Sequence, residues 1–264
     1  MSPIPFVKAT ACGNDFIIID GANAPAELAS VTRAICDRHQ GVGADGVEWL
    51  FPAQGADIHA RLLNSDGGEA EISGNGTRCV AAYLCSQQPK EEFRIRTGAG
   101  LKICTLTAIS GDQYEFETAI GAPQVEPELV LNMSFGEVRG IPVSIGNPHY
   151  VMFVAEVHDA WQSLAAEIGK HPDFPRGVNV ELVIVKDNAN LDIRFFERGV
   201  GETQSSGSGS CAAAVAAIAT GKARSPMRVH APGGVQTVRF ETNEIFLRGP
   251  ARLICQGEFF GSNQ

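Results

Sequence analysis

Two short glycine-rich stretches, Ser73-Gly-Asn-Gly-Thr77 and Ser206-Gly-Ser-Gly-Ser210, lie 133 residues apart and decide how this chain is organised. Each stretch leads directly into an alanine-rich segment, 75–85 after the first and 208–222 after the second. Because alanine favours helix over strand, both segments are predicted to be helices that begin at the glycine-rich turn. The same local pattern at a fixed spacing indicates a duplicated unit.

The internal repeat extends well beyond these two stretches. At the same offset of 133 residues, four further groups of residues fall into register without a gap. They are Gly13-Asn14 with Gly146-Asn147, Val47-Glu48 with Val180-Glu181, Arg61 with Arg194, and Gly68-Glu69 with Gly201-Glu202. We therefore predict two related domains, 1–120 and 121–249, joined in a stretch that contains Pro and Gly. Residues 250–264 lie past the repeat and are predicted to return to the first domain as an extra strand.

Most of the remaining regular segments are short, β-branched or aromatic, and bounded by turn residues, which predicts strands. The predicted strands are 16–20, 47–51, 58–63, 93–97, 114–118, 150–154, 181–185, 191–196 and 228–230. Two weaker helices are predicted at 26–38 and 160–168. The predicted fold class is therefore mixed α/β (α+β), with two β-rich lobes that each surround a buried alanine-rich helix.

Charge and hydropathy exclude several classes of function. The 264 residues include 21 Lys and Arg against 30 Asp and Glu, a net charge of −9 without a basic stripe. This balance argues against a nucleic-acid partner and against a polybasic membrane anchor. The longest apolar run, 211–219, has nine residues, too few to span a bilayer. Residues 1–8 lack the pattern of a secretory signal, so we expect a cytoplasmic protein.

The cysteines predict neither disulfides nor a metal site. There are seven of them, and none forms a CxxC pair. An odd number of scattered cysteines is typical of free thiols in a reducing compartment. No His/Cys/Asp cluster has metal-ligand spacing, and no Lys lies in a cofactor-like context. We expect neither metal nor cofactor.

The two glycine-rich turns predict a binding site for an anion. The first N–H groups of a helix have no intrahelical acceptor, and together with the helix dipole they attract negative charge. A turn of this kind is also found as a plain tight turn with Ser as the N-cap. Two turns related by duplication favour the functional interpretation, in which both helix ends hold one carboxylate. Ser73 and Ser206 would then flank a single carbon, the geometry for removing a proton from one face and delivering one to the other.

Six further stretches make the sequence recognisable. They are Ala11-Cys-Gly-Asn-Asp-Phe16, Arg38-His-Gln-Gly-Val-Gly-Ala-Asp45, Asn64-Ser-Asp-Gly-Gly-Glu69, Gly74-Asn-Gly-Thr-Arg-Cys79, Gly146-Asn-Pro-His149 and Glu197-Arg-Gly-Val-Gly-Glu-Thr203. With them, the chain resembles over its whole length the diaminopimelate epimerases, cofactor-independent enzymes that invert an amino-acid α-carbon with two bases. The resemblance implies two pseudo-symmetric lobes, each a barrel-like, mostly antiparallel sheet wrapped around a central helix.

The resemblance also implies roles for individual residues. Gly74-Asn75 and Gly207-Ser208 correspond to backbone nests for the α-carboxylate. Glu197 and Arg198 correspond to polar contacts near the reacting amino group, and His149 with Glu197 to the pair that tunes the protonation of the bases. The amides expected to hold the substrate carboxylates and the distal amino-acid end are Asn14, Asn64, Asn147 and Asn179.

The chain departs from the family pattern at its most reactive positions. The family carries catalytic cysteines where this chain has Ser73 and Ser206, and a hydroxyl is a much weaker acid than a thiol. A serine must normally borrow a base, and His149 and Glu197 are the candidates by family position. Gly46 also stands where several members have a polar side chain. Three explanations stay open: natural hydroxyl bases, an engineered double Cys-to-Ser variant, or altered or lost chemistry.

These observations lead to one expected function and two alternatives. The expected function is the interconversion of LL- and meso-diaminopimelate, on the route to lysine and cell wall. A related racemase or dehydratase for another amino acid is the first alternative, because the fold also hosts proline-type racemases. An inactive amino-acid-binding protein is the second. The expected partner is a small amino acid, and a homodimer is the assembly considered.

Overall fold

A computed structural model describes residues 3–134 and 136–261 of the chain. The chain divides into two units, with boundaries between Thr118 and Ala119 and between Arg248 and Gly249. The first unit holds the N-terminal part together with the chain from Gly249 onward, and the second unit holds Ala119–Arg248. Strands and helices are both present in each unit, which confirms the mixed α+β class.

In the first unit two α-helices pack against a sheet of mixed parallel and antiparallel strands. Its elements are β1 (Ile4–Ala11), β2 (Asn14–Asp20), α1 (Leu28–Cys36), β3 (Gly46–Phe51), β4 (Ile58–Asn64), β5 (Glu69–Ala70), α2 (Gly74–Gln87), β6 (Glu92–Thr97), β7 (Gly100–Ser110) and β8 (Gln113–Gly121), whose end passes into the second unit. The pairs β2–β3 and β4–β6 are parallel, whereas β1–β2, β3–β4, β4–β5, β6–β7 and β7–β8 are antiparallel.

The second unit repeats this order of elements. They are β9 (Gln124–Val125), β10 (Leu129–Met133), β11 (Gly136–Ser144), β12 (Pro148–Phe153), α3 (Trp161–Ile168), β13 (Asn179–Asp187), β14 (Asn190–Glu197), β15 (Gly201–Thr203), α4 (Gly207–Ala219), β16 (Met227–Ala231), β17 (Gly234–Glu241) and β18 (Glu244–Phe259). From Arg252 to Phe259, in the part of β18 that belongs to the first unit, β18 pairs antiparallel with β1.

The two units also share their strand register. In the first parallel pair Phe16 lies opposite Gly46, and in the second unit His149 lies opposite Asn179. Both residues of the second pair are displaced by 133 positions from those of the first, the same offset as in the sequence. The two parallel strand pairs therefore correspond position by position between the two units.

The cores explain why the glycine-rich turns are followed by alanine. On β2, Phe16 and Ile18 pack in the core around α2, while Ile17 and Ile19 face the core that contains α1. Strand β2 is therefore buried on both faces, as is usual for parallel strands that helices cover on both sides. Every residue of α4 from Gly209 to Ala217 is buried. Small side chains let strands approach such a helix from all sides.

Several boundaries and strands differ from the sequence-based expectation. The second alanine-rich helix ends at Ala219 rather than at 222, and Gly221 just beyond it has a left-handed φ of 69°. Strands β1, β7, β10, β11 and β17 were not predicted. In β7 most residues are exposed or half-buried, so the alternation of polar and apolar residues that signals a strand is weak. Within the described ranges, no helix is long and apolar enough to cross a membrane.

Candidate active site

The helices α2 and α4 begin with the same capping arrangement. Ser73 Oγ accepts a hydrogen bond from the N–H of Gly76 at 3.1 Å, and Ser206 Oγ accepts one from the N–H of Gly209 at 3.3 Å. Both serines have extended backbone conformations, as N-cap residues do. The caps use the third N–H of each helix. The N–H groups before it, at the tip of the turn, are left for an external acceptor such as a carboxylate.

Glycine at the third helical position makes room for a buried carboxyl group in each unit. A Cβ on Gly76 would overlap Oε1 of Glu48, and a Cβ on Gly209 would lie 2.8 Å from Oε1 of Glu181. The two glutamates are 3% and 1% exposed. Their shared position behind the helix N-terminus is a feature of the repeat that sequence reasoning noted without assigning a role.

The environments of the two buried carboxyl groups differ. In the second unit His149 Nδ1 lies 2.7 Å from Glu181 Oε1, and both side chains are buried. The counterpart of His149 in the first unit is Phe16, which offers Glu48 no hydrogen bond. Burial raises the pKa of Glu48 to about 8. The first unit therefore holds a neutral carboxylic acid at neutral pH, whereas the second holds a carboxyl group bonded to imidazole.

In the first unit the structure brings two of the predicted amides together. Asn75 Nδ2 donates to Asn14 Oδ1 at 2.7 Å, and Asn75 directly follows Gly74 in the first turn of α2. Asn64 lies at the end of β4 with an exposed side chain, for which no hydrogen bond is formed within the described residues. One cluster therefore contains Ser73, Gly74, Asn75 and Asn14. Asn64 lies at the end of β4 and is not hydrogen-bonded to this cluster.

The second unit contains the equivalent contact between Asn147 and Ser208. Asn147 Nδ2 lies 3.4 Å from Ser208 Oγ, and its Oδ1 lies 3.0 Å from Nε2 of His149. A continuous line of contacts therefore runs from Ser208 through Asn147 and His149 to Glu181. His149 orients the amide, and Glu181 in turn orients His149.

Ser206 has a carboxyl group as a neighbour in its own unit. The Ser206 side chain favours the ionised form of the Glu197 carboxyl group and so lowers its pKa. Burial is the larger effect, and it raises the pKa of Glu197 above the ordinary value for a glutamate. A carboxylate with a raised pKa is a better proton acceptor near neutral pH.

Ser73 lacks this partner within the first unit. The counterpart of Glu197 at the offset of 133 is Asn64, whose amide cannot act as a base. The two capping serines therefore share a backbone geometry but differ in their acid–base surroundings.

Asn179 and Arg198 take part in backbone contacts. Asn179 Nδ2 donates to the carbonyl oxygen of Pro148 at 3.0 Å, and its Oδ1 accepts from the N–H of Arg198 at 2.9 Å. The exposed Arg198 side chain donates to the carbonyl of Arg176 at 2.7 Å. Arg198 also lines a cavity of about 370 Å³ together with Lys170 and other residues of the second unit. One N–H of Asn179 remains available for a ligand.

Three functional neighbours escaped sequence reasoning: Glu181, Asp45 and Arg78. Asp45 Oδ2 accepts from Asn14 Nδ2 at 2.9 Å, and Arg78 donates to Asn75 Oδ1. Glu181 was visible in the repeat, and Asp45 and Arg78 belong to family-like stretches, but no local pattern names their partners. Within residues 3–134 and 136–261, no group of three or more His, Cys, Asp or Glu side chains is placed to hold a metal ion.

Comparison with known sequences gives a consistent family. A family model described as diaminopimelate epimerase matches residues 6–123 and 141–254. A diaminopimelate epimerase of Desulfitobacterium hafniense is 37% identical to this chain, over 95% of the chain and 96% of the relative. Another, from Pelotomaculum thermopropionicum, is 36% identical over 96% of the chain and 98% of the relative.

Comparison with solved structures shows the same fold at lower sequence identity. A phenazine biosynthesis protein of the PhzF family from Bacillus anthracis has a TM-score of 0.78 at 16% identity, covering 98% of this chain and 99% of that one. A hydroxyproline epimerase from Agrobacterium vitis, with bound trans-4-hydroxy-L-proline, has a TM-score of 0.71 at 17% identity, covering 97% and 92%. On the sequence match across nearly its full length, the chain belongs to the diaminopimelate epimerase family.

Proposed function

We propose that this protein is a diaminopimelate epimerase that interconverts the LL and meso forms, with Ser73 and Ser206 as the two groups that exchange protons with the α-carbon. The observation that carries the proposal is the setting of Ser206 Oγ, which accepts from the N–H of Gly209 and interacts with the carboxyl group of Glu197 strongly enough to lower its pKa. A hydroxyl placed in this way can pass its proton to Glu197 as it accepts one from a substrate.

The proton balance of the proposed reaction is simple. On one face, the α-proton moves to the oxygen of Ser206 as the hydroxyl proton moves to Glu197. On the other face, Ser73 delivers its hydroxyl proton to the carbanion, so that one C–H bond is broken and one is formed. The Ser73 oxygen then takes a proton from solvent as Glu197 releases one, which restores the starting state. The mechanism requires the two hydroxyls on opposite faces of the α-carbon. Nothing is oxidised or reduced in these steps.

The α-carboxylate is proposed to bind at the two helix N-termini. The first N–H groups of the two helices, those of Gly74 and Asn75 and those of Gly207 and Ser208, favour an anion there. Negative charge that develops as the α-proton leaves is stabilised by the same groups. The serine caps keep these turns in place, because each cap occupies the N–H of the third position instead of the first two.

The polar side chains around the turns support a substrate with two amino-acid ends. Four amides, those of Asn14, Asn64, Asn147 and Asn179, together with Arg198, exceed what a small monoamino acid needs. We propose that they hold the distal amino and carboxylate groups. The proposal extends to a cytoplasmic location and a homodimer, and sedimentation of the purified protein tests the latter.

The decisive experiment follows proton exchange at the α-carbon. We expect the protein to incorporate deuterium from D₂O into the α-position of LL-diaminopimelate and to form the meso isomer, as measured by mass spectrometry and chiral chromatography. Ser73→Ala and Ser206→Ala are each expected to lower both rates by about 100-fold or more, since general acid–base groups contribute on this scale. Ala108→Leu, a change at an exposed strand position, serves as the control.

Other outcomes contradict the proposal in different ways. Binding of diaminopimelate without α-deuterium exchange would identify an amino-acid-binding protein. Exchange that is equally fast with proline or alanine would identify a racemase of broader or different specificity. Unchanged rates in both alanine variants would remove the serines from the mechanism.

A further inference from the structure

Five side chains of the first unit form a continuous chain of hydrogen bonds. Arg78 donates to Asn75 Oδ1, Asn75 Nδ2 donates to Asn14 Oδ1 at 2.7 Å, and Asn14 Nδ2 donates to Asp45 Oδ2 at 2.9 Å. Arg38 closes the far end with a bond from Nη2 to Asp45 Oδ1 at 2.7 Å. Two of the five, Asn14 and Asn75, already have a substrate contact in the proposed function, Asn14 through its side-chain amide and Asn75 through its backbone N–H.

The two ends of the chain give it a direction. An arginine side chain only donates hydrogen bonds, and an ionised aspartate only accepts them. The oxygen of Asn75 must therefore face Arg78, and an N–H of Asn14 must face Asp45. Rotating either amide by half a turn would oppose two donors or two acceptors. In each amide the oxygen and one N–H form hydrogen bonds within this series of five side chains. The second N–H of each amide can therefore donate to a ligand.

Arg78 is buried at a considerable cost in solvation. Its side chain is 2% exposed, and Nε donates to the carbonyl of Pro250 at 3.3 Å. A Cβ at Gly249 would lie 3.0 Å from the guanidinium carbon, so a side chain there would crowd Arg78. Among the described residues no carboxylate forms an ion pair with this arginine. An unpaired buried charge is unfavourable, and its partners are an amide, a carbonyl and the thiol of Cys12.

The second unit supplies an internal comparison. At the offset of 133, Asn75 is replaced by Ser208 and Arg78 by Cys211. The Ser208 hydroxyl rotates freely and, unlike an amide, needs no neighbour to fix its orientation. The second unit also has no arginine at the position of Arg78. The arginine therefore accompanies the amide, although both helices are buried in similar cores.

We propose that Arg78 is a positioning residue that holds the amides of Asn75 and Asn14 as hydrogen-bond donors toward a carboxylate of the substrate. Its cationic head also adds positive potential at the start of α2, where the proposed α-carboxylate binds. The inference rests on the proposed function for the identity of the ligand. It does not depend on which residues move the proton.

The first test compares binding in a double-mutant cycle. Arg78→Met is expected to weaken diaminopimelate binding about tenfold, seen in calorimetric Kd and in KM, with kcat changed far less. Arg78→Lys, which keeps the charge but not the planar fork, is expected to fall between. In the Asn75→Ser background the Arg78→Met change should cost less than twofold, because Arg78 then has no amide to hold and no link through Asn75 to Asn14. Arg94→Met, at an exposed strand position, is the control.

The second test needs neither substrate nor turnover. The side-chain amide NMR signals of Asn14 and Asn75, assigned with Ser variants of each, are expected to be single in the wild type and heterogeneous in the Arg78 variants. Thermal melting reports whether each variant is folded. If Arg78→Met does not fold, the test is made with Arg78→Lys. Unchanged amide signals, or penalties that add fully in the double variant, would overturn the proposal. Unchanged amide signals would overturn this proposal even if diaminopimelate did not bind. Failure to exchange the α-proton of the substrate, by itself, would count only against the proposed function.

Discussion

Replacing Glu48 by glutamine is predicted to remove a specific pH dependence of stability. Glu48 lies on β3, is 3% exposed, and packs against Gly76 in the first turn of α2. Burial raises its pKa from 4.5 to about 8. The folded protein therefore keeps this carboxyl group protonated at pH values at which the unfolded chain releases the proton.

The sign and size of the effect follow from this difference. Because the pKa is raised in the folded state, the folded form is penalised increasingly as pH rises above 4.5, and the penalty levels off above about 8. At 1.36 kcal/mol per pH unit, the full difference corresponds to about 5 kcal/mol of unfolding free energy. Between pH 5 and pH 8.5, the part that titrates amounts to about 4 kcal/mol.

Urea unfolding at these two pH values measures the effect. Wild type is expected to lose about 4 kcal/mol more than Glu48→Gln between pH 5 and pH 8.5, since glutamine has nearly the same shape and cannot ionise. Glu91→Gln, at an exposed carboxylate, should retain the wild-type dependence. Parallel pH dependences in wild type and Glu48→Gln would refute the reasoning and show that Glu48 is ionised or solvated in the folded protein.

Two other predictions concern the serines and the buried helix. The double variant Ser73→Cys with Ser206→Cys is expected to exchange the α-proton at least about tenfold faster than wild type, and faster than either single variant. The reason is that the pKa of a thiol lies closer to neutrality than that of a hydroxyl. If deuterium exchange is slower in the double variant than in wild type, the serines are evolved bases. Ala213→Leu is expected to lower the unfolding free energy by about 1–3 kcal/mol, because Ala213 is fully buried in α4. Urea titration checks this, and an unchanged midpoint would contradict the dense packing around α4.

The sequence by itself determined the features that depend on local signals. The serine caps and the alanine-rich helices can be read from adjacent residues, because capping and helix propensity act within a few positions. The offset of 133 can be read by matching these local patterns along the chain. The mixed class and the family followed from the same stretches. Helix ends and strands with exposed faces were less accessible, as β7 shows, because they carry weak periodicity.

Only the tertiary structure decided which side chains act together. His149 bonds to Glu181, and Ser206 acts on the ionisation of Glu197. No local pattern distinguishes these pairings from His149 acting on a serine. Partners on different strands are selected by register and by which face is buried, and these depend on the whole sheet. The same holds for Arg78 and Glu48. Their burial turns an ordinary charged residue into an orienting cation in one case and a neutral acid in the other, because desolvation is set by the fold around a residue rather than by its neighbours in sequence.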